Sequence, residues 1–112
     1  MFITTSNDGV EAVISPWGEI DFAAVPALLA AVRDLPLSVT RVTWDLRKIL
    51  FMDSAGLHLF DDHRSACLGT GRTLTVTGLR PQPLELLRLA HELSPEHRWS
   101  DFLPEGSPTA AA

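Results

Sequence analysis

The feature that most constrains the fold is a change of hydrophobic period in mid-chain. Val42, Trp44 and Leu46 alternate with Arg41, Thr43 and Asp45, the two-residue period of a strand with one buried face. From residue 55 to about 68 the pattern suits a helix, with Leu57, Phe60, Ala66, Cys67 and Leu68 as its expected buried residues and Gly69-Thr70-Gly71 as its end. Between the two lies Phe51-Met52-Asp53-Ser54-Ala55-Gly56-Leu57. A small hydroxyl therefore sits at a strand-to-helix junction, where backbone N–H groups lack intrahelical partners and face solvent or a docked molecule.

The flanking segments extend the pattern. Residues 2–5 read as a strand, Asn7-Asp8-Gly9 as a tight turn and residues 10–14 as the returning strand, whose end Pro16 and Gly18 make irregular. Asp21 is placed to cap a helix over about 22–34, with Pro26 near its first turn and Asp34-Leu35-Pro36 as its stop. Residues 74–79 give a further strand. Pro81 and Pro83 lead into a helix over 84–93, with Leu84, Leu87 and Ala90 or His91 on one face and Leu86, Leu89 and Leu93 beside it. Trp99, Phe102 and Leu103 are expected either to cover a sheet edge or to add a short strand, and residues 104–112 to form a disordered tail. The order β-β-α-β-α-β-α implies one α/β domain over 1–103, a mixed sheet of four to five strands with three to four helices.

Bulk properties narrow the function. A chain of 112 residues holds one compact domain with a real core. A net charge of −5 argues against nucleic acid and against an anionic membrane surface, both of which call for clustered Lys and Arg. The lone Cys67 cannot form an internal disulfide, Met1-Phe2-Ile3 gives way to polar residues without a basic region so that no secretory signal is expected, and the apolar run at 23–32 is too short to span a bilayer and contains Pro26. A cytoplasmic protein without membrane insertion is expected.

Each candidate residue has a structural reading beside its functional one. Ser54 serves either as a helix cap or as a phosphorylation site, and the two are compatible, because a phosphate at a helix N-terminus meets free N–H groups and the positive end of the dipole. Gly18-Glu19-Ile20-Asp21 is either a turn with a cap or an acidic part of the surface around Ser54 that orients a partner's basic groups. Asp45 reads as a strand-end residue bonded to a loop, Trp44 as core and Cys67 as a small buried apolar residue. His58, Asp61, Asp62 and His63 suggest a metal only superficially. His58 and Asp62 share a face but His63 points elsewhere, so a solvated helix face is expected and no metal or other cofactor. Ser54 and His58 are four apart, yet no G-x-S-x-G elbow, phosphate-binding loop or dinucleotide fingerprint is present, and no enzymatic activity is expected.

Taken in order, Asn7-Asp8-Gly9, Gly18-Glu19-Ile20-Asp21, Val42-Thr43-Trp44-Asp45-Leu46, Phe51-Met52-Asp53-Ser54-Ala55-Gly56-Leu57 and Gly71 resemble the pattern of STAS-domain anti-sigma factor antagonists over residues 2 to 93. The resemblance implies that the unphosphorylated protein binds an anti-sigma factor that is also a serine kinase, which frees a sigma factor. It implies that the kinase then phosphorylates Ser54 and the complex falls apart, until a phosphatase resets it. By position it makes Asp53 the motif acid, Asp21 the matching acid of the adjacent loop and Gly56 the site of close backbone approach. The implied partner surface comprises Gly18, Glu19, Asp21, Asp53, Ala55, Gly56 and His58. The same fold also serves as a non-switching scaffold in stress signalling and as a subunit of lipid or anion transport systems. The sequence departs from the family pattern at Pro16-Trp17, at Asp61 and Asp62 in the second helix, and from Ser94 to Leu103, where a clear final strand and a full-length last helix are missing.

Overall fold

The computed structural model describes residues 1–104, so the tail expected after Pro104 lies outside the described residues. Strands β1 (Phe2–Asn7) and β2 (Glu11–Ile20) form an antiparallel hairpin. Its turn is built by side chains: the Asp8 carboxylate accepts from the N–H groups of Val10 at 2.9 Å and Glu11 at 2.8 Å, and Gly9 takes a φ of 91° that favours glycine. The bond from Glu11, followed by that from Val10, holds the Asp8 carboxyl below its ordinary pKa. A 3-10 turn (Phe22–Ala24) and helix α1 (Val25–Arg33) follow, and Asp21 caps the turn as expected, accepting from Ala24 N–H at 3.0 Å. Then come β3 (Arg41–Asp45), β4 (Ile49–Met52), α2 (Ser54–Thr70), β5 (Thr73–Thr77) and α3 (Pro81–Leu93). Two 3-10 turns, Pro95–His97 and Trp99–Phe102, end the described chain.

The sheet is mixed and five-stranded, ordered β1-β2-β3-β5, with β4 also paired to β2. β3 runs parallel to β2 along Glu11–Ile14, and β4 runs parallel to it along Gly18–Ile20. The expected element order holds, with β4 added between the third strand and the second helix. Strand β2 runs past its expected end because Pro16 falls in the gap between these two pairings. Val10 accepts from Thr40 and Arg41 on this edge and Gly18 donates to Lys48 there, so strand alternation aims the Pro16 nitrogen at a place where no ladder bond is needed. Between β3 and β4, Asp45 closes the turn, accepting from Arg47 N–H at 3.1 Å and pairing with its guanidinium at 2.7 Å. Those bonds from Arg47 hold the Asp45 carboxyl below its ordinary value.

Helices pack on one face of the sheet, where Ala12, Ile14, Val42, Trp44, Leu46, Ile49 and Met52 are buried. The opposite face carries Thr43 and Thr75, whose hydroxyls lie 3.0 Å apart, and the Arg41–Glu11 ion pair at 2.7 Å. Helix α2 buries Gly56, Leu59, Phe60, His63 and Cys67, a regular 3.6-residue stripe, while Ala66 and Leu68 are exposed, contrary to expectation. Helix α3 begins at Pro81 rather than at 84, because proline at a first helical position gives up an N–H that has no intrahelical partner there.

His63 is a core residue, not part of a solvated face. It is 4% exposed, and Trp44 Nε1–H donates to its Nδ1 at 3.0 Å. Since Nδ1 accepts, the neutral ring carries its proton on Nε2, which is buried without a protein partner among the described residues. Among the described residues, the C-terminal segment covers the core and adds no strand. Trp99 and Phe102 are buried, with Phe102 5.8 Å from Phe60 between ring centroids. Arg64 straps the segment down: its guanidinium donates to the carbonyls of His97 at 2.7 Å and Arg98 at 2.8 Å and lies 4.7 Å from the Phe102 ring centroid.

Burial, and secondarily the charge of Arg72, lowers the His63 pKa from 6.5 to about 4. A base whose pKa is depressed by folding takes up its proton more readily in the unfolded chain. Stability is therefore full above pH 6.5 and falls as the pH drops toward 4. Denaturant unfolding across that window should show a loss of no more than about 3 kcal/mol, and His63→Gln should flatten the dependence. An unchanged slope in the variant would rule out His63 as its source.

Candidate functional site

The site is built where two strands end together. Glu19 pairs with Phe51 and Ile20 with Met52, and the N–H of Asp53 donates to the carbonyl of Ile20 at 3.1 Å. This brings the Gly18-Glu19-Ile20-Asp21 junction beside Asp53-Ser54. The register of β2 against β4 shifts between Gly18 and Glu19, and Gly18 takes a φ of 106° that a side chain would strain.

Asp53, not Ser54, caps α2. The Asp53 backbone is extended, and its Oδ1 accepts from Ala55 N–H at 2.8 Å. Ser54 is the first helical residue. Its side chain is exposed, and its hydroxyl makes no hydrogen bond among the described residues. The reading of Ser54 as the cap is thus corrected. The strand ends at Met52, the extended position that a cap requires falls on the next residue, and Asp fills it as well as Ser does.

Of the remaining expected residues, Gly18, Glu19 and His58 are exposed, while Asp21, Asp53 and Ala55 are half-buried. Gly56 is buried and works from beneath: a Cβ there would overlap the Met52 thioether and lie 3.2 Å from Ile20 Cγ2. Its absence lets α2 sit directly on the joined ends of β2 and β4. His58 and Ser54, one turn apart on α2, make no hydrogen bond to each other. Asp61 is tied to Arg64 at 2.8 Å and His63 lies in the core, so the four candidate ligands do not converge. Among the described residues no group of three His, Cys, Asp or Glu side chains is placed to hold a metal ion.

Several contributors were not anticipated. Gln82, at the start of α3, completes the free edge of β4: Met52 N–H donates to its Oε1 at 2.8 Å, and its Nε2 donates to Met52 carbonyl at 2.9 Å. The signal for it is a lone amide between Pro81 and Pro83. Around the acidic residues stand exposed aromatics, Phe22 at 85%, Trp17 at 44% and Phe51 at 43%. The Lys48 ammonium lies 4.3 Å from the Trp17 ring centroid, and a shallow cleft of about 380 Å³ runs from Met1 and Trp17 past Glu19 to Asp21. The arrangement is a surface with acidic and aromatic groups around one free hydroxyl, suited to protein recognition.

Residues 2–95 match the STAS domain, and the chain belongs to that family. Its fold is similar to that of the anti-sigma factor antagonist SpoIIAA in its unphosphorylated form, with 20% identity, a TM-score of 0.64, and 82% of this chain and 83% of that one covered. It is also similar to the STAS domain of an antisigma-factor antagonist from Rhodobacter sphaeroides, with 21% identity, a TM-score of 0.55 and coverage of 69% and 85%. A crystal structure of Mglu aligns with 20% identity and a TM-score of 0.62 over 70% of this chain, which spans only 20% of that protein. No match was found among curated proteins.

Gln82→Leu should remove both bonds to the Met52 backbone and lower stability by about 1–3 kcal/mol. Amide exchange should quicken at Met52 more than in β3. Unchanged protection at Met52 would show that Gln82 does not hold the site.

Proposed function

We propose that the protein is an anti-sigma factor antagonist. Unphosphorylated, it binds an anti-sigma factor serine kinase in the cytoplasm and so frees a sigma factor. Phosphorylation of Ser54 by that kinase ends the complex, and a phosphatase restores it. Membership of the STAS family and the fold shared with SpoIIAA support this reading. The observation that carries it is the free, exposed Ser54 hydroxyl beside a helix cap supplied by Asp53. A hydroxyl with no structural bond can be modified without removing a bond from the fold.

The consequence of modification follows from charge. A phosphoryl group adds about −1.5 to −2 charge next to Asp53 and close to the junction that carries Glu19 and Asp21. The helix N-terminus tolerates that charge within the protein. A partner packed against the same surface meets new bulk and repulsion. The surface formed by Gly18, Glu19, Asp21, Ala55 and His58, with exposed Phe22 as an apolar anchor, is suited to a kinase face bearing basic groups and an apolar recess. Its role is binding, with no reaction carried out by its own residues.

The test is a pull-down from the source cell's lysate with wild type, Ser54→Ala and Ser54→Asp in parallel, with mass spectrometry of the retained partner. Wild type and Ser54→Ala should hold a kinase-like anti-sigma factor, and Ser54→Asp should release it. Melting of the two variants should stay within about 0.5 kcal/mol of wild type, as for surface substitutions. Equal retention by Ser54→Asp would end the switch mechanism.

A further inference from the structure

The sheet ends at β5 with an open edge. β3 pairs with one side of β5, and among the described residues no strand lies on the other. Thr73 N–H donates to the Thr40 carbonyl and Leu46 N–H to the Thr77 carbonyl, each at 2.9 Å and both on the β3 side. Alternation along the strand therefore turns the N–H and C=O groups of Leu74 and Val76 outward. Thr73-Leu74-Thr75-Val76-Thr77 carries no charge and no proline, the residues that commonly blunt an edge. A cleft of about 810 Å³ follows this edge, and every residue of β5 lines it, those of both sheet faces included, as a space beside a strand edge requires. Its second wall is the flank of α2, where Asp61, Arg64, Ser65 and Leu68 fall at i, i+3, i+4 and i+7. Leu68 is 76% exposed there, an apolar side chain that the core leaves uncovered. Phe102 and Leu103 of the C-terminal turns form the third wall.

The lining dictates what the occupant must offer. A row of outward main-chain donors and acceptors is matched by extended main chain. The charges of the cleft balance, Arg64, Arg72 and Arg98 against Asp61, Glu96 and Asp101. The cations are also engaged: Arg72 donates to the carbonyls of Val39 at 2.8 Å and Pro36 at 2.9 Å, Arg98 pairs with Asp101 at 3.2 Å, and Arg64 holds the C-terminal segment. Charge complementarity therefore calls for a neutral occupant, neither an anion nor a basic segment. The helix side of the cleft is apolar, through Leu68, Leu74, Val76 and Leu103, and the other side carries Thr73, Thr75 and Thr77. We propose that an uncharged extended segment of a partner protein adds to β5 as a further strand, hydrogen-bonded to Leu74 and Val76, with apolar side chains toward α2 and small polar ones beside the threonines. A second copy of this chain is the poorer occupant, because two copies meeting at β5 would set the α2 flank and C-terminal turns of one against those of the other, which a single strand avoids. The site shares no residue with the Ser54 surface and does not depend on phosphorylation.

The probe is a short peptide of alternating Val and Thr with blocked ends, added to the full chain and followed by anisotropy of a labelled copy and by amide exchange of the protein. In the free protein the Leu74 and Val76 amides should exchange faster than those of Thr75 and Thr77, and the peptide should slow Leu74 and Val76 at least about tenfold. Two twins N-methylated at alternate positions, of opposite parity, separate main-chain recognition from burial. The twin whose methyl groups face β5 should bind at least about tenfold more weakly, and the other should bind as the parent does. Val76→Pro removes an N–H that makes no bond to β3, so it should melt close to wild type and lose the peptide. Should that variant unfold, the methylated twins still decide the matter on the unaltered protein. Ser54→Asp should leave peptide binding unchanged while it disrupts the kinase complex, so failure of either site is read separately. No binding by the parent peptide, equal binding of both twins, or Leu74 and Val76 amides unmoved by bound peptide would overturn the proposal. Slow exchange of those two amides in the free chain would overturn it too, since the edge would then be filled already. So would self-association that Val76→Pro abolishes, which would assign the edge to a second copy.

Discussion

The short pairing of β2 with β4 is the constraint on which the site depends. It spans Gly18–Ile20 on one strand and Ile49–Met52 on the other, and it sets two strand-to-helix junctions side by side. Met52 is fixed from several directions. Ile20 pairs with it on one edge, the Gln82 amide completes the other, and α2 presses on it through a glycine. Isolated pairing of this length is weak. It persists because Ile20, Ile49 and Met52 are fully buried and because the edge left open by β4 is closed by a side chain that imitates a strand. The surface residues beside it are thereby held on backbone with little freedom to move, the condition for a recognition surface of defined shape.

Within that frame, the helix cap and the proposed modification site are different residues. Loss of an Asp or Ser cap costs about 1 kcal/mol, and here that contribution belongs to Asp53. Ser54 supplies only a first-turn position and a hydroxyl in solvent. Charge added at Ser54 therefore changes what approaches the helix without undoing how the helix begins. Had Ser54 been the cap, phosphorylation would have acted on fold and surface together, and the two effects would be harder to separate.

The alternating strand at Val42–Leu46, the Asn7-Asp8-Gly9 turn and the Asp21 cap were legible because each is a local rule satisfied locally. What escaped was tertiary. Pro16 reads as a strand breaker, and only the gap between the β3 and β4 pairings makes it harmless. Ile49-Leu50-Phe51-Met52 is apolar at every position, so it carries neither strand nor helix period, and β4 merges in the sequence with the motif that follows it. On α2 the pattern points correctly to Phe60 and Cys67 but also to Ala66 and Leu68, because the buried stripe contains a glycine and a histidine, which no hydrophobic pattern selects. Gln82 and Arg64 act on backbone carbonyls and amides far along the chain, and contacts of that kind leave no periodic trace in a sequence.

The acids that interrupt α2 have a physical reason in this light. Asp61 departs from the more apolar pattern that the family resemblance leads one to expect, yet it pairs with Arg64, and Arg64 is what holds the carbonyls of His97 and Arg98. A segment whose turns over 95–102 are 3-10 rather than α-helical has fewer internal bonds with which to keep Trp99 and Phe102 in place. A cation on the neighbouring helix, itself only 17% exposed, supplies them from outside. That cation needs carboxylates, and Asp61 and Asp101 provide them. The departure in α2 and the departure in the C-terminal segment are thus two sides of one arrangement. Substitution at Asp61 belongs with the packing of Phe102 rather than with the chemistry of Ser54.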